Sequence, residues 1–126
     1  MYFQGVADAS GEPLTGARSY VWRVPRGGIP AKAFWSLTMY QAEPDGRFFF
    51  TDNPIRRYSI GDRTAGLLYN PDGGCDIYIS HTAPEGEKVR NWLPAPPGPM
   101  RLSLRAYLPS EELLERRWRV PPVQRR

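Results

Sequence analysis

Two stretches of the chain, residues 33–40 and 100–108, carry apolar side chains at every second position. In the first stretch, Trp35, Leu37 and Met39 fall on one side. In the second, the apolar side holds Met100, Leu102, Leu104, Ala106 and Leu108. Because successive side chains point to opposite faces of a strand, this period of two predicts two β-strands. We predict that the two strands pair and that the rest of the chain covers their apolar faces.

Shorter runs of the same kind, separated by Pro, Gly and Asp, predict further strands. These predicted strands are residues 20–24, 47–51, 57–60, 67–69, 75–80 and 118–120. Pro-Asp-Gly at residues 44–46 predicts one hairpin turn, before 47–51. Pro-Asp-Gly-Gly at residues 71–74 predicts another, which joins 67–69 to 75–80. In the predicted strand at residues 75–80, we expect Cys75, Ile77 and Ile79 to face inward.

Two other segments do not fit the strand pattern. Residues 91–99 contain four prolines, which cannot donate to a sheet ladder, so this segment is not a central strand. We predict an extended loop there, pinned by Trp92. Near the carboxyl end, Ser110 has the character of a helix N-cap and is followed by two glutamates, which predicts a short helix over residues 109–114.

About eight short strands with turns between them are typical of an all-β protein. We predict an antiparallel jelly-roll-like β-sandwich with one short C-terminal helix, formed by residues 6–126 as a single domain. Residues 1–5, Met-Tyr-Phe-Gln-Gly, resemble the remnant of an engineered cleavage tag, and we exclude them from the predicted domain. An export signal could then have been removed, so the sequence does not choose between a cytoplasmic and a periplasmic location.

Composition and charge narrow the classes of partner. The chain has 126 residues and a formal net charge of +4, and five arginines lie in its last eleven residues. These are Arg116, Arg117, Arg119, Arg125 and Arg126. The rest is close to neutral, which argues against a nucleic-acid groove across the fold. Binding of the tail to an anionic surface is a further alternative. No apolar run approaches the roughly 20 residues that span a bilayer.

Five segments together resemble one family. Residues 32–40, 53–64, 76–79, 91–96 and 118–123 resemble the domain of unknown function 1214. The resemblance implies an all-β, jelly-roll-like fold, mostly bacterial members, and a position after a domain of unknown function 1254 in a two-domain protein. It implies no reaction, cofactor or catalytic residue. The chain departs from the family at Leu108, where Trp is expected, and at Arg116 and Arg117, which replace a Gly-containing segment.

A hydrolase triad can be drawn around the only histidine. His81 could act with Ser59 or Ser80 and with Asp62 or Asp76. The Gly-x-Ser-x-Gly elbow is missing, and a lone histidine after a strand is more often structural. We therefore predict no catalytic residue, and the sequence leaves enzymatic activity undecided with a preference against it.

Metal sites are poorly supported. One cysteine and one histidine cannot close a zinc site, which needs about four such ligands. Asn70, Asp72 and Asp76 have the even spacing of a calcium loop, but Gly74 interrupts the oxygen ligands. A hairpin turn explains these residues better, so we predict no metal and no cofactor.

The most informative polar cluster lies at residues 56–63. One interpretation is an anion site in which Arg57 or Arg63 binds a carboxylate or phosphate through its bidentate guanidinium. The other, which we favour, is an internal network of these arginines with Asp62 or Asp52. The candidate ligand-binding residues are Arg57, Tyr58, Arg63, Tyr78, His81, Asn91 and Trp92. For Asn91 and Trp92 the alternatives are a loop anchor and a contact with a partner domain.

Two functions from different classes follow. The first is a non-catalytic β-sandwich module of a larger protein, which serves domain packing or self-association and should expose an apolar patch of several hundred Å². The second is a small-anion or small-molecule binding or enzymatic domain, with a pocket around Arg57, Tyr58 and His81. The predicted partners are an upstream domain of the same protein or a second copy of the chain. Nucleic acid is not among them.

Overall fold

The computed structural model describes residues 2–26, 29, 31–43, 47–50, 53–109 and 120–126. Within these residues there are nine strands and one 3-10 helix, at Gly86–Asn91. The strands are β1 Tyr2–Gly5, β2 Tyr20–Val24, β3 Ala31–Ala42, β4 Phe48–Phe49, β5 Ser59–Gly61, β6 Cys75–Ser80, β7 Trp92–Pro94, β8 Met100–Pro109 and β9 Val123–Arg125.

The two longest strands are the two alternating stretches of the sequence. Strands β3 and β8 pair antiparallel, with Leu37 opposite Leu104 and Met39 opposite Leu102. This register places inward apolar residues of the two strands beside each other, and these four are at most 4% exposed. The predicted pairing is therefore confirmed. Strand β3 extends beyond both of its predicted ends, and β8 extends one residue beyond its predicted carboxyl end.

The strands form two sheets. The five-stranded sheet has the order β1-β8-β3-β4, with β5 also paired to β3. The four-stranded sheet has the order β7-β6-β2-β9, in which β6 and β7 are parallel and the other pairs antiparallel. Strand β5 can lie against β3 because Gly61 has no side chain, since a Cβ there would collide with the Trp35 carbonyl oxygen. The all-β class is confirmed at the level of these two sheets.

One hydrophobic core joins the inner faces of both sheets. Trp22 of β2 meets Trp35 of β3 edge to face, with ring centroids 5.7 Å apart and an interplanar angle of 78°. Ile77 and Ile79 of β6 are fully buried in the same cluster, as the alternation of residues 75–80 predicted. Burial of apolar area at this shared core is the main force that holds the sheets together.

The predicted strand at residues 67–69 is wrong, although the turn that follows it is present. The Gly73 N–H donates to the Asn70 carbonyl 2.9 Å away, which closes the turn. Residues 67–69 belong to no strand, because a side chain instead of a neighbouring strand forms the hydrogen bonds to their backbone. The Asn91 amide binds both the N–H and the carbonyl of Leu68, each at 2.8 Å.

The carboxyl-terminal half departs from prediction at two other points. Residues 92–94 are not a loop but the edge strand β7, a position where Pro94 needs no ladder donor. Of the predicted strand at residues 118–120, only Val120 is described, and it lies outside any strand. The last described strand is β9, which follows the two prolines and pairs with β2. Pro109, the first residue of the predicted helix at 109–114, ends β8, and residues 110–114 lie outside the described part of the chain. The predicted turn at 44–46, the family departures at residues 116 and 117, and the side chain of residue 108 lie outside it as well.

Residues 2–5 form β1 and pair with β8. We had excluded them from the predicted domain because they resemble the remnant of a cleavage tag. Phe3 lies opposite Leu104 and packs against the core, while Gln4 lies opposite Ser103 and is exposed. The origin of this segment in a tag stays a prediction. Whatever its origin, it occupies an edge of the five-stranded sheet.

We expect Phe3→Ala to lower the free energy of unfolding by about 1–3 kcal/mol, because it removes a partly buried aromatic ring from the core. Gln4→Ala is the matched control on the opposite face of the same strand, and it should change stability by no more than about 0.5 kcal/mol. Urea denaturation measures both values. Equal losses in the two variants would show that β1 contributes nothing specific to the core.

Candidate functional site

The guanidinium of Arg57 lies at the end of the 3-10 helix. Its Nη1 donates to the carbonyl oxygens of Val89 at 3.3 Å, Arg90 at 3.0 Å and Trp92 at 2.9 Å. A helix end leaves such carbonyls without partners, and a cation is well placed to bind them. Burial lowers the pKa of Arg57. These acceptors are backbone carbonyls of the protein itself. The network with Asp62 or Asp52 that we favoured stays a prediction, and Asp52 lies outside the described residues.

Asn91 and Trp92 fix the same segment from within. Asn91 is 3% exposed, and its Nδ2 donates to the Leu68 carbonyl at 2.8 Å and to the Asp76 carbonyl at 2.9 Å. The indole N–H of Trp92 donates to the Ser80 carbonyl at 2.8 Å. These contacts agree with the interpretation of both residues as anchors of the segment that becomes β7.

Tyr78 and His81 lie on β6 and just after it. The Tyr78 ring is 4.9 Å from the Arg126 guanidinium and 5.7 Å from the Lys88 ammonium. The Nδ1 atom of His81 is 2.9 Å from the Ala95 carbonyl oxygen. A carbonyl oxygen only accepts, so Nδ1 carries the proton in this contact.

Tyr58 and Arg63 lie among aromatic side chains of the five-stranded sheet. The Tyr58 ring is 5.4 Å from that of Phe50. The Arg63 guanidinium lies 4.1 Å above the ring of Phe34, which itself stacks on Tyr107 at 4.2 Å. Arg63 therefore contacts an aromatic face here, while the Oδ1 of its neighbour Asp62 accepts the backbone N–H of Trp35 at 3.2 Å.

The structure thus brings together four of the seven candidates, Arg57, Tyr78, Asn91 and Trp92, around β6, β7 and the 3-10 helix. Of the remaining candidates, His81 directly follows β6, and Tyr58 and Arg63 lie on either side of β5, where they contact Phe50 and Phe34. Two clefts, of about 320 Å³ and about 560 Å³, are lined by residues other than these seven candidates. A ligand site made of the seven residues stays a prediction.

The sequence interpretation missed an exposed aromatic surface, which we define as Tyr40, Phe50 and Tyr58. Phe50 stacks on Tyr40 with ring centroids 5.4 Å apart, yet Phe50 is 60% exposed. Phe49 is also exposed, but it lies opposite Gln41 and so on the other face of the strand. The signal was the run of three phenylalanines at residues 48–50, because consecutive residues of a strand cannot all face one core. Large apolar side chains grouped on a surface are typical of interaction sites.

The single thiol and the potential metal ligands offer little chemistry. Burial, followed by the charge of Asp76, raises the pKa of Cys75 to about 11, so its thiol is protonated at neutral pH and is a poor nucleophile. Within the described ranges, no group of three or more His, Cys, Asp or Glu side chains is placed to hold a metal ion. No helix of the described residues is long and apolar enough to cross a membrane.

Asp8 is a buried carboxylate that ties the first loop to the last strand. Its side chain is 2% exposed, and its Oδ1 accepts the Ser10 hydroxyl at 2.6 Å, the Ser10 N–H at 2.8 Å and the Glu12 N–H at 3.1 Å. The Nε of Arg125 lies 3.5 Å from Oδ2. The hydroxyl bond of Ser10, with the two N–H bonds and Arg125, lowers the pKa of Asp8.

Comparison with known proteins identifies a family model, described as "Protein of unknown function (DUF1214)", that matches residues 1–111. No curated protein matches the sequence. Among solved structures, the chain is similar to the VPA0106 protein of Vibrio parahaemolyticus, with a TM-score of 0.84, 26% identity and 99% of the chain covered.

An uncharacterised protein from Burkholderia cenocepacia shares the fold, with a TM-score of 0.60, 19% identity and the whole chain covered. Both relatives are much longer than this chain. It spans 30% of the Vibrio protein and 29% of the Burkholderia protein.

We expect Asn91→Leu to lower the free energy of unfolding by about 2–4 kcal/mol, because it leaves buried backbone groups of Leu68 and Asp76 without a partner. Asn70→Leu is the matched control, since the Asn70 side chain makes one 3.3 Å hydrogen bond to the Asp76 carboxylate. Guanidinium denaturation compares the two. A loss for Asn91→Leu no larger than that of the control would contradict the anchoring role.

Asp8 should make stability depend on pH in the acid range. Its pKa is lower in the folded protein, so the charged form stabilises the fold above the unfolded-state pKa of about 3.9, and this stability is lost as the pH falls through the folded-state pKa. The melting temperature of Asp8→Asn should lie below that of the wild type at pH 7, and the gap should close in acid. Glu12→Gln controls for the charge change, and a gap independent of pH would contradict the assignment.

Proposed function

The chain belongs to the family of proteins of unknown function DUF1214, and from that premise we propose that it is a non-catalytic β-sandwich module of a larger protein. In this proposal it packs against another domain of the same polypeptide. We propose further that its two sheets are the layers of a jelly-roll-like sandwich. The single core shared by both inner faces supports that arrangement.

The observation that carries the proposal is the aromatic surface. Phe50 presents its ring to solvent at the edge of the five-stranded sheet. The ring of Tyr40 stacks on it and that of Tyr58 is tilted against it, each with its centroid 5.4 Å away. A single exposed ring would need no explanation, but a stacked group of them does.

The partner we propose for this surface is another domain of the same chain. Support comes from the lengths of the relatives, which hold more than twice as much sequence outside the matching part as within it. The sequence resemblance adds that this partner is a domain of unknown function 1254. An aromatic surface of this kind is well suited to inter-domain packing. Two domains of one polypeptide are held at a high effective concentration, so a small buried area is enough to keep them in contact.

A non-catalytic role is favoured by the engagement of the polar candidates. Nη1 of Arg57 donates to three carbonyls, the Asn91 amide is bound on both sides, and the Trp92 N–H has an acceptor. Binding of an anion by Arg57 would compete with the bonds that hold the end of the 3-10 helix. The small-anion alternative around Arg57, Tyr58 and His81 stays a prediction.

Hydrogen exchange tests the proposal. We expect amides of residues 47–50 and 53–58 to exchange about tenfold more slowly in the complete product of the gene than in this isolated chain, because the partner domain covers them. In the complete product, Phe50→Ser should restore fast exchange. Tyr69→Ser, at a ring that is 59% exposed outside the aromatic surface, is the matched control and should not. Equal exchange in the isolated and complete proteins would overturn the proposal.

A further inference from the structure

Arg56 is the one described residue other than glycine whose φ is positive, at 50°. At the other described positions with a positive φ the chain has glycine, namely Gly11, Gly66, Gly73 and Gly86. A Cβ in this left-handed region crowds the backbone, so a side chain there costs conformational energy that glycine avoids. A long charged side chain therefore stands at a position where the backbone favours glycine.

The 53–57 loop, which contains Arg56, is braced from within. The Oδ1 of Asn53 accepts the N–H of Arg57, and its Nδ2 donates to the Arg57 carbonyl, each at 2.9 Å. The Arg56 N–H donates to the Asn53 carbonyl at 3.1 Å, which closes the turn. The Arg57 guanidinium then ties the loop to the end of the 3-10 helix. A loop held in this way loses little conformational entropy when a partner binds it.

The tip of this loop combines apolar side chains with a cation. Pro54, Ile55 and Arg56 are all exposed, and Ile55 is 42% exposed. Among the described residues, no carboxylate pairs with the Arg56 guanidinium, whereas three other arginines each have one within 4 Å. Arginine beside apolar side chains is a composition that protein interfaces favour.

The loop leads directly into the aromatic surface. Tyr58 follows Arg57 in the chain, and its ring is tilted against that of Phe50. A domain that covers the aromatic surface would thus lie beside the tip of the loop. The planar guanidinium of arginine binds a carboxylate in one defined geometry, so a rigid arginine at the border of an apolar contact also fixes how two surfaces are oriented.

We propose that the strained backbone of Arg56 directs its guanidinium to a carboxylate of the partner domain, with Ile55 in apolar contact beside it. Strain of this kind is typical of positions where the direction of a side chain matters for function. The inference rests on the packing role proposed above and adds the chemistry of the partner. That partner presents an apolar surface with an Asp or Glu side chain at its border.

Hydrogen exchange of residues 53–58, measured in the complete product of the gene and in this isolated chain with the same substitution, tests the inference. The ratio of the two rates reports cover by the partner and cancels any change within the loop. The wild-type ratio of about tenfold should fall to about twofold in Arg56→Gly, because loss of an interface arginine weakens a contact by about fivefold. Arg56→Glu should remove the slowing altogether, since it sets like charges against each other.

Three further variants separate this contact from a change in the fold. Arg56→Gly relieves the strained backbone, so the isolated variant should melt no lower than the wild type. Ile55→Ser should also lower the exchange ratio. Arg18→Gly, at an exposed arginine in the loop before β2, is the matched control and should leave the ratio at its wild-type value.

The outcomes distinguish this inference from the packing role. A wild-type ratio near one would overturn both. A tenfold wild-type ratio that persists in either Arg56→Gly or Arg56→Glu would overturn the contact of Arg56 alone, and the packing role of the aromatic surface would stand.

Discussion

The structure depends on the register between β3 and β8. With Leu37 opposite Leu104 and Met39 opposite Leu102, the five-stranded sheet presents one continuous apolar face. A slip of one residue would turn this whole set toward solvent, so burial fixes the register strongly. The second sheet then has one surface on which to pack, and the contact between Trp22 and Trp35 lies where the two faces meet.

The alternation of apolar residues predicted this part of the fold because every second side chain of residues 35–39 and 100–106 is buried. It failed at residues 67–69, where the backbone is bound by a side chain instead of by a neighbouring strand. The N–H and carbonyl of Leu68 both bond to the amide of Asn91, which is 23 residues away in sequence. A local pattern carries no information about such a partner. The same holds for β7, whose parallel pairing with β6 follows from the anchoring of Trp92 rather than from any alternation of its own.

The candidate site was predicted in part for a related reason. The sequence interpretation named Arg57, Asn91 and Trp92 as candidate binding residues. In the structure, the side chain of each donates to backbone carbonyls of the protein itself. It could not tell whether such residues bind the protein's own backbone or a ligand, because the same donors serve both. Arg57 illustrates this, since three carbonyls at a helix end present much the same acceptors as an anion would.

The open apolar surfaces are those that the periodic core does not use. The run of phenylalanines at residues 48–50 exceeds what one face can bury, and so leaves rings on the surface. The two sheets, in turn, do not close at the edges where β1 and β9 lie, and so leave an apolar cleft beside Trp22. Both are apolar surfaces produced by the same constraint, because a two-sheet core of this length has open edges and a limited interior.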